Sequence, residues 1–397
     1  MTSRILGPSL AWHVGQRACA RGFSERAQAR WPTSRAPHPG TPDGDRHYGL
    51  ALQEITIIIR RMNPSVVVVG SFVQDLTFFC DTFPQPGETR LGNFVTGPGG
   101  KGSNQAVAAA RAGAQTRFVG AVGRDEFGES AAEFHRREGI DSRLVAKSTH
   151  PTATAGIVVD QRGQNQIVVA IGASAELRPR DVPSTLLRGA SVVVAQHEAD
   201  LATNAHVFQT ARRLRVTTVL NPAPMRGDFD PAILRYVDVL IPNEREFVTM
   251  LHELPGSAAL IRKPPFSGQS KFGVDTLPGL AASALQELCR SFAIPVIIVT
   301  LGQRGCFISL TDRGEHLPAH SVEVVDSTGA GDAFVGGFAA GWVKFKGDAI
   351  RAVRFANAVA ALSVTKPGAS RSMPTRNEIE RFLRQAETAR PFPKKRS

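Results

Sequence analysis

Apolar residues in this chain fall into short unbroken runs, each closed by glycine or a polar cluster. Val66-Val67-Val68-Val69 precedes Gly70-Ser71, and Val119 to Val122 precedes Gly123. Val192 to Ala195 ends at Gln196-His197-Glu198, Thr217 to Leu220 at Asn221-Pro222-Ala223-Pro224, and Val237 to Ile241 at Pro242-Asn243-Glu244-Arg245-Glu246. Val296 to Leu301 ends at Gly302-Gln303-Arg304-Gly305. Runs without polar alternation predict strands covered on both faces, the environment of a parallel sheet. Helical patterns stand between them: Ala106 to Ala112, the segment opened by Gly123-Arg124-Asp125-Glu126-Phe127-Gly128, Leu280 to Ser291, Phe334 to Val343 and Ala349 to Ser363. The alternation predicts an α/β fold, a doubly wound and mostly parallel sheet flanked by helices.

Other stretches break this rhythm. Thr154 to Val159 and Gln166 to Ala170 flank Asp160-Gln161-Arg162-Gly163-Gln164-Asn165, a hairpin signature. With further strands from residues 75–98, the segment 152–171 predicts a small β-sheet lid over the main sheet. Val322 to Val325 predicts a strand feeding the glycines that follow it. Residues 261–279, rich in proline and glycine, read as a surface insertion. Residues 1–62 show no sustained period and read as a disordered or targeting extension, with Ile55 to Ile59 either a strand or a turn of helix. The folded domain is expected over 63–383, with a basic tail over 384–397.

The formal charge of +12 would ordinarily raise nucleic acid or an acidic membrane as a partner. Most of it sits in the two ends, and no aromatic-laced basic stripe crosses the folded part, so no nucleic-acid partner is expected. Cys19, Cys80, Cys289 and Cys306 are far apart and match neither a disulfide framework nor a zinc spacing. No apolar run approaches the roughly 18 residues a membrane span needs. The expected compartment is the cytoplasm, with the nucleus as a further location. The arginines of the first 35 residues, opposed only by Glu25, make a mitochondrial address the alternative.

Chemistry concentrates at Asp326-Ser327-Thr328-Gly329-Ala330-Gly331-Asp332. Glycines ahead of a helix give an anion-binding turn whose free N–H groups face a ligand. Asp332 in that turn is either a helix cap or a base that takes a proton from a hydroxyl attacking a phosphoryl group held by the amides. Upstream, Gly97-Pro98-Gly99-Gly100-Lys101-Gly102-Ser103-Asn104-Gln105 satisfies G-x-G-x-x-G, with Asp125 downstream, but fails the P-loop template because Gly102 follows Lys101. It reads as a flexible loop that brings Lys101 and Asn104 to a small polyhydroxyl ligand. Asp75, after the first apolar run, is placed for the same crevice.

With those stretches in hand, Val66 to Leu383 resembles the ribokinase branch of the PfkB carbohydrate kinase family. The D-S-T-G-A-G-D-A-F stretch resembles its second signature and G-G-K-G-S-N-Q-A-V-A-A-A-R-A-G-A its first. The resemblance implies a kinase making D-ribose 5-phosphate from D-ribose and ATP, with Mg²⁺ and K⁺. Asp332 would be the base, with Gly329, Ala330 and Gly331 as the anion hole. Val73, Gln74, Asp75, Gly100, Lys101, Gly102, Ser103, Asn104 and Glu198 would line the sugar together with Asp332. Asn243, Thr300, Leu301, Gly302, Gln303, Arg304, Gly305, Gly331, Asp332 and Asn357 would meet the nucleotide, and Glu246 the magnesium environment. Asp326, Thr328, Ser363, Lys366, Gly368 and Ser372 match positions around a monovalent cation. Val73 departs from the Asn often found there in bacterial members, and His197 reads as packing.

The rival readings are a kinase of this family for another sugar or a nucleoside, and a sugar-binding regulator without turnover. A dinucleotide-dependent oxidoreductase rests on the G-x-G-x-x-G match alone. Exposed strand edges in the lid predict a homodimer.

Overall fold

The computed structural model describes residues 65–147, 149–254 and 273–388. The N-terminal extension, most of the 261–279 insertion and residues 389–397 of the basic tail lie outside the described residues.

In chain order, β1 (Val66–Val69) and β2 (Val73–Phe79) are followed by β3 (Asn93–Gly99) and α1 (Lys101–Arg111). Next come β4 (Thr116–Gly123), α2 (Glu126–Arg137), β5 (Asp141–Lys147), β6 (Thr154–Val159) and β7 (Asn165–Ala170). The alternating half contains β8 (Val192–Gln196), α3 (Leu201–Arg213), β9 (Thr217–Asn221), β10 (Val239–Leu240) and α4 (Glu244–Glu253). It continues through α5 (Ala282–Arg290) and β11 (Val296–Thr300) to β12 (Cys306–Ser309) and β13 (Gly314–Leu317). Three helices follow: α6 (Ala330–Lys344), α7 (Ala349–Ser363) and α8 (Arg376–Thr388).

The large sheet has the order β13-β12-β11-β10-β9-β8-β1-β4-β5, parallel from β11 to β5 with an antiparallel β12-β13 edge. β1 pairs with both β4 and β8, so the strand order reverses there. A doubly wound sheet opens its ligand crevice at the carboxyl ends of strands at such a switch point.

The unbroken apolar runs follow from burial on both faces. Val67 and Val69 pack with Val193, Ala195, Leu220, Leu240 and Ile297 on one side, while Val66 and Val68 pack with Phe118, Val194, Val219, Val239 and Ile298 on the other. Each fully buried valine or leucine of this kind contributes roughly 1.5–3 kcal/mol. Asp125, Asp200 and Asn243 cap α2, α3 and α4 through their side chains, which fixes where these helices begin.

A second sheet has the order β3-β2-β6-β7. The β6–β7 turn closes on Asp160, whose Oδ1 accepts the N–H groups of Arg162 and Gln164, both at 2.9 Å.

The structure corrects two expectations and removes one rival reading. Val322 to Val325 is irregular, with Val324 and Val325 more than half exposed, and Val322 and Val324 line a hollow instead of joining a sheet. The stretch from Lys101 to Asn104 is the first turn of α1, not a flexible loop. Gly97 and Gly99 lie in β3 of the smaller sheet, so the G-x-G-x-x-G spacing is no dinucleotide turn. From the insertion, residues 274–279 form a short 3-10 helix that buries Leu277 in the core.

Candidate active site

The N-terminus of α1 is pressed onto the β1–β2 connection. Gly100 has φ 89°, which favours glycine, and a Cβ on Gly102 would stand 2.7 Å from Ser71 N. This approach sets Lys101, Asn104 and Gln105 at the carboxyl ends of β1 and β8. Glu198, just past β8, accepts the Lys101 N–H at 2.9 Å and the Ser71 hydroxyl on the same oxygen, placing negative charge at a helix N-terminus. Asp75 fills the space where a side chain at Gly99 would be, its Oδ2 2.3 Å from an ideal Cβ there. Burial pushes the Asp75 carboxyl up to about 6, with Glu198 and then Asp332 adding like charge.

Opposite, Gly329 in the left-handed region (φ 75°) opens α6 and puts Asp332 in its first turn. Asp332 is only 7% exposed. Its Oδ2 accepts from Asn104 Nδ2 and its Oδ1 from Gln105 Nε2, each at 2.9 Å. The carboxylate is therefore turned toward α1, and no side chain caps α6. The helix-cap alternative for Asp332 is overturned. Ala330 N–H donates to Ser327 O at 3.2 Å, so its amide is already engaged. Among the described residues the Gly331 and Asp332 N–H groups donate to no other group, which leaves two of them open at the helix N-terminus.

Two hollows meet at this turn. A polar one of about 240 Å³ holds Lys101, Asn243, Glu246 and Asp332; a larger one of about 510 Å³ is walled by Gly302, Gln303, Val322, Phe334 and Asn357. Thr300, Ser327, Ala330 and Gly331 line both. Lys101 is held in its charged form chiefly by Asp332, against the opposing effect of burial, with help from Glu198 and Glu246. Asn243 and Glu246 form a reciprocal cap at α4: Glu246 N–H donates to Asn243 Oδ1 at 2.9 Å, and Asn243 N–H to Glu246 Oε2 at 2.8 Å. Burial raises the Glu246 carboxyl, partly offset by that Asn243 N–H and by Lys101.

Several sequence-predicted residues have side chains turned elsewhere. Val73 packs against Ala153 and Ala155. Gln74 donates to Thr96 at 2.6 Å, and Ser103 bonds His135 at 2.9 Å. Leu301 is buried in the core, and Arg304 pairs with Glu244. Asn357 lines the larger hollow while its Nδ2 donates to Pro318 O at 3.3 Å. His197 is buried against Phe229, and burial lowers it to about 4, so it is neutral near pH 7.

Asp326 ties two segments together, accepting Thr328 N–H at 2.9 Å and Gly368 N–H at 2.8 Å, while its own N–H donates to Val364 O at 3.1 Å. The hydroxyls of Ser363 and Ser372 bond carbonyls within their own turns, and Lys366 Nζ donates to Glu378 at 2.6 Å. What these residues can offer an ion is mainly backbone carbonyl oxygen. Among the described residues no cluster of three His, Cys, Asp or Glu is placed to hold a metal, and no helix is long and apolar enough to cross a membrane.

Sequence reasoning missed Ser71, Gln105, Gln196, Asn221 and Ser370, which hold the others in place. Gln105 donates to Asp332 and, at 3.1 Å, to Asn221; Gln196 donates to Gln105 at 2.6 Å; Ser370 donates to Asn104 at 2.5 Å. Gln105 lies inside the quoted glycine-rich stretch, and Gln196 and Asn221 close apolar runs, so position at a strand end was the available signal.

Comparison with known proteins places these features in context. The pattern of the pfkB family carbohydrate kinases matches residues 63–376. Ribokinase of Bacillus subtilis is 34% identical over 322 residues, covering 80% of this chain and 99% of its own. Deoxyribokinase of Salmonella typhi is 31% identical over 322 residues, covering 80% and 98%. Among solved structures, ribokinase of Arabidopsis thaliana complexed with ribose and ATP has a TM-score of 0.68 at 28% identity, covering 81% of this chain and 99% of its own.

Proposed function

This chain belongs to the pfkB family of carbohydrate kinases, and from that premise we propose that it transfers the terminal phosphoryl group of ATP to O5 of D-ribose, giving D-ribose 5-phosphate and ADP. The observation that carries this reading is Asp332, a buried carboxylate at the helix N-terminus shared by the polar hollow and the larger one.

A primary hydroxyl is a poor nucleophile. Asp332 accepts its proton as the oxygen attacks in line, the O–P bond forms, and the bond to ADP breaks. Charge on the transferred group is met by the open N–H groups of the α6 N-terminus and by the Lys101 ammonium in the same hollow. Asp75, Asn104 and Glu198 hold the sugar hydroxyls, with Gly100 allowing close approach. Asn243, Thr300, Gly302, Gln303, Gly305 and Asn357 surround the nucleotide. The smaller sheet covers the sugar and excludes water, which would otherwise take the phosphoryl group.

Glu246 is the carboxylate that would accompany a Mg²⁺ carried by nucleotide phosphates; one such residue fits an ion that keeps its phosphate and water ligands. Bound there, the ion neutralises phosphate charge. The Asp326–Thr328 and Ser363–Ser372 segments offer backbone carbonyls and one carboxylate, which fits a monovalent cation such as K⁺ better than a divalent one. Exposed Phe78, Phe94, Val95 and Val168 on the smaller sheet support a homodimer through that sheet.

A second reading, a kinase for a sugar lacking one ribose hydroxyl, is favoured by Val73, whose buried apolar side chain offers that hydroxyl no partner. Coupled ADP release measured with ribose, deoxyribose, fructose and adenosine separates the readings. The highest kcat/KM is expected for ribose. A preference for deoxyribose would establish the second reading, and no ADP release with any of the four would overturn both.

A further inference from the structure

Asp332 faces Gln105, a fully buried side chain used entirely by polar partners. Its Nε2 donates to Asp332 Oδ1 at 2.9 Å and to Asn221 Oδ1 at 3.1 Å, and its Oε1 accepts Gln196 Nε2 at 2.6 Å. The chain is anchored further out: Asn221 Nδ2 donates to Ile241 O at 2.9 Å, and Asn204 Nδ2 to Gln196 O at 2.7 Å. Gln196 itself is wedged over Gly70, its Oε1 2.1 Å from where a Cβ on that glycine would stand. These anchors sit at the ends of β8, β9 and β10, so three strands of the large sheet fix one amide.

We propose that Gln105 is a positioning residue for phosphoryl transfer, clamping Asp332 Oδ1 to the large sheet so that Oδ2 is the oxygen presented to the sugar hydroxyl. The proposal rests on the base role of Asp332. The partner of Oδ2, Asn104, is itself a candidate sugar contact and can exchange Asp332 for the ligand. Gln105 is fully buried and lines neither hollow, so its bond to Oδ1 does not compete with a ligand bound there. An unclamped carboxylate could rotate and offer either oxygen, and misplacement of this order costs rate more than binding.

The test compares Gln105→Met, Gln105→Glu and Asp332→Asn in the full chain, measuring kcat and sugar KM. Gln105→Met keeps the volume and removes the donor. We expect kcat to fall about ten- to a hundredfold with sugar KM within about twofold. Gln105→Glu retains an acceptor for Gln196 but offers Asp332 no amide donor, so kcat is expected to fall by a similar factor with sugar KM little changed. If either variant fails to fold, Gln196→Met breaks the clamp one link away and is expected to lower kcat with sugar KM little changed. Normal kcat in the folded variants overturns the clamp, as does a loss confined to KM. Near-normal turnover by Asp332→Asn would instead remove the base reading, so the two failures are told apart.

Discussion

A Cβ on Gly336 would lie 2.3 Å from the carbonyl oxygen of Gln105, closer than any relaxed contact. Gly336 is one turn beyond Asp332 on α6, so the missing side chain is what lets α6 settle on α1 and brings Gln105 within reach of the carboxylate. Gly336→Ala must push the helices apart against backbone. The expected cost is about 1–3 kcal/mol in urea unfolding, with kcat reduced more than sugar KM. Unchanged stability would show that the two helices have slack at this contact.

Asp332→Asn leaves size and burial unchanged and removes the proposed proton acceptor. Turnover is expected to drop by about 10²- to 10⁴-fold or more while ribose binding, measured calorimetrically, stays within a few-fold. A proportionate loss of binding would instead assign Asp332 to sugar recognition.

Asp75 carries a pH dependence with a definite sign. Its carboxyl sits at about 6 in the fold, raised by burial, Glu198 and Asp332. Well below about pH 4 it is neutral in folded and unfolded chains alike and costs nothing. As pH rises from about 4 to about 6, the unfolded chain releases its proton first, so this group lowers stability across that window. Asp75→Asn is therefore expected to stabilise the protein at pH 7 by on the order of 2 kcal/mol, with the gain vanishing below about pH 4. In the wild-type enzyme sugar KM should rise as pH falls below about 6, because protonation removes a hydroxyl acceptor. The same titration on the Asn variant should be flat in that window.

Monovalent ions test the Asp326 segment. Activity in K⁺ is expected to exceed that in Na⁺, and Asp326→Ala, which releases Thr328 and Gly368 N–H together, should abolish the difference. Equal rates in the two ions for the wild-type enzyme would remove the cation from the mechanism.

Phe94 packs on Phe78 with ring centroids 5.0 Å apart, on a face that is about half exposed. Phe94→Glu should give a monomer by sedimentation if that face joins two copies; an unchanged sedimentation coefficient would place the interface elsewhere or show none.

The strand runs were legible because burial on both faces leaves an unbroken apolar signature. β5 was not: Asp141, Arg143 and Lys147 interrupt its apolar positions, as suits a strand at the edge of the sheet. Val322 to Val325 misled for the converse reason, since an apolar run beside a cavity reads like one inside a sheet. The first turn of α1 was hidden by glycine, a poor helix former. Tertiary contacts offset that preference, with Glu198 accepting the Lys101 N–H and Gly102 packing against Ser71.

By itself the sequence determined the layered α/β architecture and which stretches carry chemistry, because side-chain periodicity and glycine-rich turns are local properties written residue by residue. Only the tertiary structure decided which partner holds each oxygen of Asp332. Gln105 lies 227 positions earlier in the chain, and a hydrogen bond between them depends on two helices approaching closely in space. Directional contacts act over about 3 Å, so their partners are chosen by packing and not by distance along the chain.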